Sequence, residues 1–587
     1  MNSESPITRV IKMLDSRRKE VIMLFLFAIA SASLDIAVPL ISQHLIDTLI
    51  SFLRGKAEQP FGLLFLSAAA IILATIVARV LRSMYDYRLF TMVTTLEDRI
   101  RTEIFEKYLT LHALFHNSSS SGQIIGRIER GASAVYAILN DIIGHNFLPP
   151  LIMFGIVFVT IAVKNIWIAL VVFAPLVIYI FAARPLSEKI YQIERNANDR
   201  FEFVSKHAYD VAGNVLTVKK FSQELAETNF QRNLLKEARE VQYGAERLWM
   251  VLENIQTGIS VAGRLGVILI AGFQVINGQT TIGELVLYLS LQQMAYSPMA
   301  QLSVIFPRLR RNTAKVERMF GILDEENKVF DRDDARVLPL HSKEVEFKDV
   351  WFEYRRKSWA LKNISVKVPA GSVVALVGRS GSGKTTFINL LMRSFDPQKG
   401  KIFIDGHDLR DVTRESILNQ TAVVPQEVDL FSRTILENIA YGNRGAKEEE
   451  DVMDAAKSAL AHNFIVRTEY GYDTLVGERG IRLSGGVRQR IGIARAVYRD
   501  PRILILDEAT SHLDTESERL ISAATESLMK NRTTFIIAHR LSTILKADTI
   551  LVFENGRIEA MGPHRELLGS SPTYRKLYEL QFKEART

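Results

Sequence analysis

The chain has 587 residues, enough for several domains, and its 48% hydrophobic and 24% charged residues give a mean hydropathy of +0.08. Its net charge of +8 and pI near 9.3 could suit a nucleic-acid partner, but the basic residues concentrate in long segments between apolar runs. That is a membrane pattern, so no nucleic acid is expected. The absence of cysteine excludes disulfides, thiolate metal sites and a cysteine nucleophile.

The first residues mix Glu4, Asp15 and Glu20 with Arg9, Lys12, Arg17, Arg18 and Lys19, and read as neither a signal nor a transit peptide. Six apolar stretches follow, near 20–50, 61–84, 141–163, 166–183, 247–276 and 281–306. Each is long enough to cross a hydrocarbon core, which takes about 20 helical residues. Connections alternate: those near 51–60, 164–165 and 277–280 are short, whereas 85–140 and 184–246 are long and charged. The long ones carry the positive charge and are expected in the cytoplasm with both termini, most simply at a bacterial inner membrane. Their helical periodicity predicts stalks beyond the bilayer, reversing near 108–117 and 209–217.

Charges within spans cost about 2.5 to 3.5 kcal/mol at a helix centre and need a reason. Asp35 and Arg264 fall near mid-depth by this reading, either as a mutual ion pair or as the lining of a substrate cavity. Residues 1–310 are therefore read as a membrane domain. The charged stretch 311–340, with Asp324-Glu325-Glu326 and Asp331-Arg332-Asp333-Asp334, reads as a linker, and 341–587 as a soluble α/β domain.

In that last part Val373-Val374-Ala375-Leu376-Val377 has the uninterrupted apolar character of a strand buried on both faces. Gly378-Arg379-Ser380-Gly381-Ser382-Gly383-Lys384-Thr385 follows it, and from Thr386 the pattern is helical. Strand, glycine-rich loop and helix are the context in which this pattern cradles nucleotide phosphates with backbone N–H groups and the helix N-terminus. Lys384 would reach the β and γ phosphates, and the Thr385 hydroxyl would ligate Mg²⁺. A second buried strand, Ile503-Leu504-Ile505-Leu506, ends in Asp507 and Glu508. Asp507 suits the Mg²⁺ shell, and Glu508 could take a proton from the water attacking the γ phosphate.

Leu483-Ser484-Gly485-Gly486 with Arg488-Gln489-Arg490, lying between those two motifs, resembles the signature of ABC transporter ATPases. Six spans and one ATPase domain in one chain are similar to an exporter-type half-transporter of the lipid and multidrug kind, and Val476-Gly477-Glu478-Arg479-Gly480 is similar to an exporter motif. The resemblance implies a domain-swapped helical membrane bundle fused to an α/β P-loop ATPase. It also implies ATP and Mg²⁺ as cofactors, membrane lipid as surroundings, an unidentified cargo, and a second half-transporter, most simply a copy of itself, as partner. By the same resemblance Tyr354 stacks on adenine, Thr386 belongs to the nucleotide site, Gln426 contacts Mg²⁺, and His539 holds the γ phosphate. Ser484, Gly485 and Gly486 would touch the partner's ATP, Asp514 would sit in the dimer-interface loop, and the two reversals would be coupling helices. Val487 and His512 depart from the common pattern without removing a base or phosphate ligand. A nucleotide-gated channel or membrane sensor is the rival function, and continuous ATP hydrolysis distinguishes the two.

Overall fold

The protein is described by a computed structural model covering residues 5–55, 61–118, 121–296, 299–339, 343–355, 358–443, 448–477, 480, 483–507, 515–538 and 544–584. Glu508, His512, Asp514 and His539 lie outside the described residues. The chain forms two compact units, one of Met1–Leu109 with Ser120–Glu325 and one of Thr110–Ser119 with Glu326–Thr587. The division at Glu325 falls inside the segment read as a linker, because helix continues to Leu323.

The first unit is helical: α1 Pro6–Met13, α2 Arg18–Leu53, α3 Phe61–Thr110, then, beyond α4 (Ala113–Ser118), α5 Ser121–Tyr136 and α6 Leu148–Lys164. It continues with α7 Ile166–Gly213, α8 Val215–Lys220, α9 Glu224–Ile276, α10 Ile282–Tyr296 and α11 Met299–Leu323. Among the described residues five segments, Pro6–Leu53, Phe61–Thr110, Ser121–Lys164, Ile166–Gly213 and Glu224–Ile276, are long and apolar enough to cross a membrane. The sixth expected stretch is shared between α10 and α11, with 297 and 298 outside the described residues. Phe65, Leu73 and Leu269 are 71%, 64% and 71% exposed. A water-soluble protein does not leave such side chains bare over whole helices; a lipid-facing one does. At about 1.5 Å per residue, α7 and α9 reach about 72 and about 80 Å, more than twice a hydrocarbon core of about 30 Å.

The first reversal lies where α3 ends at Thr110 and α5 begins at Ser121, with α4 between them. The second begins inside 209–217, where α7 ends at Gly213, and continues through α8 at 215–220 to the start of α9 at Glu224. The stop comes at Asn214, whose backbone N–H and side-chain amide both donate to the Asp210 carbonyl at the helix end.

The second unit is an α/β domain. An antiparallel sheet is ordered β2-β1-β4-β5, from β1 Val345–Arg355, β2 Ser358–Val368, β4 Lys399–Ile404 and β5 His407–Asp408. A six-stranded sheet is ordered β10-β9-β3-β8-β7-β6, from β3 Val373–Val377, β6 Thr421–Val424, β7 Ile503–Asp507, β8 Thr533–Ile537, β9 Thr549–Glu554 and β10 Arg557–Gly562. All its pairings are parallel except β9 with β10. The strands alternate between two apolar cores. Ala375, Val377, Leu504 and Leu506 enter a core shared with this unit's own helices, while Val374, Leu376, Ile503 and Ile505 enter the core under the antiparallel sheet. Burial on both faces is why these strands read as unbroken apolar runs. Ala113 and Leu114 of α4, which belongs to this unit, pack against the second core.

Candidate functional site

Because β3, β6, β7 and β8 are parallel, the segments that leave their C-terminal ends share one edge, where ligands bind in open α/β sheets. The Gly378 loop leaves β3, Asp507 ends β7, and Gln426 lies two residues past β6. They meet in a cavity of about 570 Å³ lined by Ser380 to Thr386, Gln426, Asp507, Tyr354 and Ile537.

The loop is held by backbone that only glycine accommodates. Gly378 has φ 150° and Gly383 φ 113°, and a Cβ on Gly378 would stand 2.3 Å from the Phe553 carbonyl oxygen. Lys384 Nζ donates to the carbonyls of Gly378, at 2.7 Å, and Arg379, at 3.0 Å, so the ammonium curls over the loop. The helix Lys384–Leu391 starts there, directing its first N–H groups at the cradle. The Ser382 hydroxyl, 6% exposed, has no hydrogen-bond partner among the described residues. A buried donor left over in a ring of N–H groups beside a lysine suits a phosphate oxygen.

Tyr354 packs its ring edge-on to Phe352 and Phe395, at 4.9 and 5.5 Å between centroids, and its hydroxyl lies 3.1 Å from Thr386 Oγ1. Trp359, which sequence reasoning missed, lines the same cavity from β2 and meets Trp351 edge-on at 5.3 Å. Only the β1–β2 pairing brings it there, and that register is broken by bulges that no short motif encodes.

Ser484 caps the helix Gly485–Arg499, its hydroxyl accepting from the Val487 N–H at 3.4 Å. Ser484 is exposed, and neither it nor Gly485 or Gly486 lines the Lys384 cavity. Val487 is 6% exposed within an apolar core, which accommodates this departure from the common signature. On the same helix, buried Gln489 donates to the Pro425 carbonyl at 3.1 Å, tying the signature helix to the Gln426 segment.

Asp35 and Arg264 do not pair. Asp35 faces Arg82, at 3.9 Å, and lines a cavity of the helical unit, whereas Arg264 donates to Gln293 Oε1 at 2.8 Å and does not line that cavity. Helix α2 extends to Leu53, so Asp35 lies about 27 Å from that end, while Arg264 lies about 18 Å from the Ile276 end of α9.

A phosphate cradle at a sheet edge, joined to a unit of long lipid-facing helices, defines a membrane-embedded ATPase of the transporter class. Residues 21–299 match the ABC transporter transmembrane region and residues 361–511 the ABC transporter ATPase domain. The chain is 36% identical to an ATP-dependent lipid A-core flippase of Syntrophus aciditrophicus, over 83% of this chain and 80% of that one. It is also 36% identical to Heavy metal tolerance factor 1 of Caenorhabditis elegans over 83% of this chain, but spans only 61% of that protein's length. A bacterial Atm1-family ABC exporter solved with ATP bound superposes with a TM-score of 0.82 at 30% identity, covering 96% of this chain and 98% of the other. The chain belongs to the ABC transporter family, as an exporter-type half-transporter, and is an integral membrane protein that uses ATP.

Proposed function

We propose that two copies of this chain form an ATP-driven exporter that moves an amphiphilic cargo out of the cytoplasm or between leaflets by alternating access. The cargo class spans lipid, lipid-linked sugar, peptide and drug-like molecules. The observation that carries the dimeric reading is the separation of the two phosphate-binding surfaces. The Lys384 cradle is one cavity, and the exposed N-terminus capped by Ser484 lies outside it. A second chain supplying Ser484, Gly485 and Gly486 to the first chain's ATP would complete two equivalent sites.

In this account Gly378 to Thr386 hold the phosphates and Tyr354 the adenine. The Thr385 hydroxyl, Gln426 amide and Asp507 carboxylate are an all-oxygen set that suits Mg²⁺, which when bound would neutralise charge between the β and γ phosphates. Glu508, next in sequence after Asp507, is assigned as general base, His539 as γ-phosphate contact, and Asp514 to the interface loop. ATP bound between two ATPase domains draws them together; α4 and α8 serve as coupling helices, α8 toward the partner, and hydrolysis releases the clamp. The membrane unit makes six crossings, α10 with α11 supplying the sixth. Both termini and the ATPase face the cytoplasm of a bacterial inner membrane.

The test is Glu508→Gln in purified protein in nanodiscs. ATP binding persists, phosphate release stops, and the ATPase domains stay closed. Phosphate release at the wild-type rate would remove Glu508 from its role.

A further inference from the structure

The helical unit contains a cavity of about 450 Å³ walled by α2, α3, α6, α10 and the π-helical segment Ala137–Phe147. Five ionisable side chains line it: Asp35, Arg82, Tyr85, Asp86 and His145. Arg82 stands 3.9 Å from Asp35, and His145 Nδ1 stands 3.7 Å from Asp86. Both separations are well beyond the roughly 2.7 to 2.9 Å of a closed charge-assisted hydrogen bond, so these pairs are loose enough to admit a ligand's charge.

The wall that carries His145 has a cause in the sequence. Pro149 and Pro150 have no N–H to return to the carbonyls of His145 and Asn146, and the Leu148 N–H reaches back five residues, to Ile143. The eleven-residue π segment that results is braced by the Tyr85 hydroxyl, which donates to the Gly144 carbonyl at 2.5 Å. Long π segments are rare and concentrate at functional sites.

Two carboxylates oppose one guanidinium, so the cavity carries net negative charge whenever the imidazole is neutral. Ala32, Met153 and Met294 supply an apolar side, and methionine adapts to varied shapes. Ionisable groups inside spans are costly and mark substrate pathways. Asp35 is about 27 Å from the Leu53 end of α2 and Arg82 about 32 Å from the Phe61 end of α3, which places the cavity toward the opposite side of a core of about 30 Å.

We propose that this cavity is the loading site for an amphiphilic organic cation, its positive centre taken up by Asp35 and Asp86 and its apolar body lying against Ala32, Met153 and Met294. The assignment rests on the exporter reading and names its substrate class. An anionic amphiphile of the same shape meets two carboxylates and is rejected.

The experiment uses the full chain in nanodiscs of zwitterionic lipid, with tetraphenylphosphonium as probe and tetraphenylborate, its isostere of opposite charge, as control. Binding is read by equilibrium dialysis after subtraction of empty nanodiscs. Tetraphenylphosphonium binds saturably, and Asp35→Asn and Asp86→Asn each weaken it roughly tenfold, as loss of a unit charge a few ångströms away in a partly wet site requires. Arg82→Gln strengthens it, a change that misfolding cannot imitate. Equal affinity in wild type and all three variants, or tighter saturable binding of tetraphenylborate, overturns the assignment. ATP hydrolysis in the same nanodiscs separates the two levels: hydrolysis with charge-independent probe binding overturns the cavity alone, and no hydrolysis overturns the exporter reading.

Discussion

Gly378 is the position at which a single methyl group should disable the ATPase. At φ 150° an alanine is strained, by about 1–3 kcal/mol for such a backbone. Its Cβ would also stand 2.3 Å from the Phe553 carbonyl oxygen and 2.8 Å from Ser382 Oγ. Phe553 cannot give way, because β9 is bonded to β3 on one side and β10 on the other. The loop must therefore move by about 1 Å, a displacement that costs on the order of a hundredfold in a positioned reaction. Gly381→Ala is the matched control: φ is 78°, but among the described residues nothing lies within 4 Å of the added methyl, so the cost is backbone strain of about 1–2 kcal/mol. Phosphate release from ATP by protein in nanodiscs should fall on the order of a hundredfold in Gly378→Ala and much less in Gly381→Ala. Turnover of Gly378→Ala within twofold of wild type would refute the steric argument.

Gln489→Ala removes the donor to the half-buried Pro425 carbonyl, at about 0.5–1.5 kcal/mol, and should lower ATP turnover while ATP affinity is kept; unchanged turnover would show that the tie is dispensable. Arg393 is 1% exposed and bonds Asp331, the Val412 carbonyl and the Phe330 carbonyl. Arg393→Ala should cost about 3–5 kcal/mol and lower the melting midpoint of the ATPase domain by about 6–20 °C in scanning fluorimetry. Burial, then the nearby Arg565, hold the His564 imidazolium below the ordinary histidine range. The unfolded chain therefore binds that proton more readily, so stability is lost as pH falls below about 6.5, and a melting series on His564→Gln should show a weaker pH dependence there.

Legibility tracked how local each signal was. The Gly378 loop and the Asp507 strand end could be read because their chemistry sits in a few consecutive residues, whereas Gln426 entered only through the family resemblance; the parallel register of β3, β6, β7 and β8 carries all three to one edge. Trp359 was not legible, since its place depends on a bulged hairpin register. In the membrane unit, apolar length gave the spans but not their ends. That α3 brings Arg82 and Asp86 to the cavity of Asp35 depends on how α2 and α3 pack, which no linear pattern shows. The π segment was likewise hidden, because Pro149-Pro150 reads simply as the start of a helix.

The central claim is that the Lys384 cradle of one chain meets the Ser484 turn of another across ATP. The sequence has no cysteine, so Ser380→Cys with Ser484→Cys, in the Glu508→Gln background, places the only two thiols on those surfaces. With ATP and a mild oxidant, the account predicts a covalent dimer on a denaturing gel. A chain that stays monomeric under those conditions would contradict it.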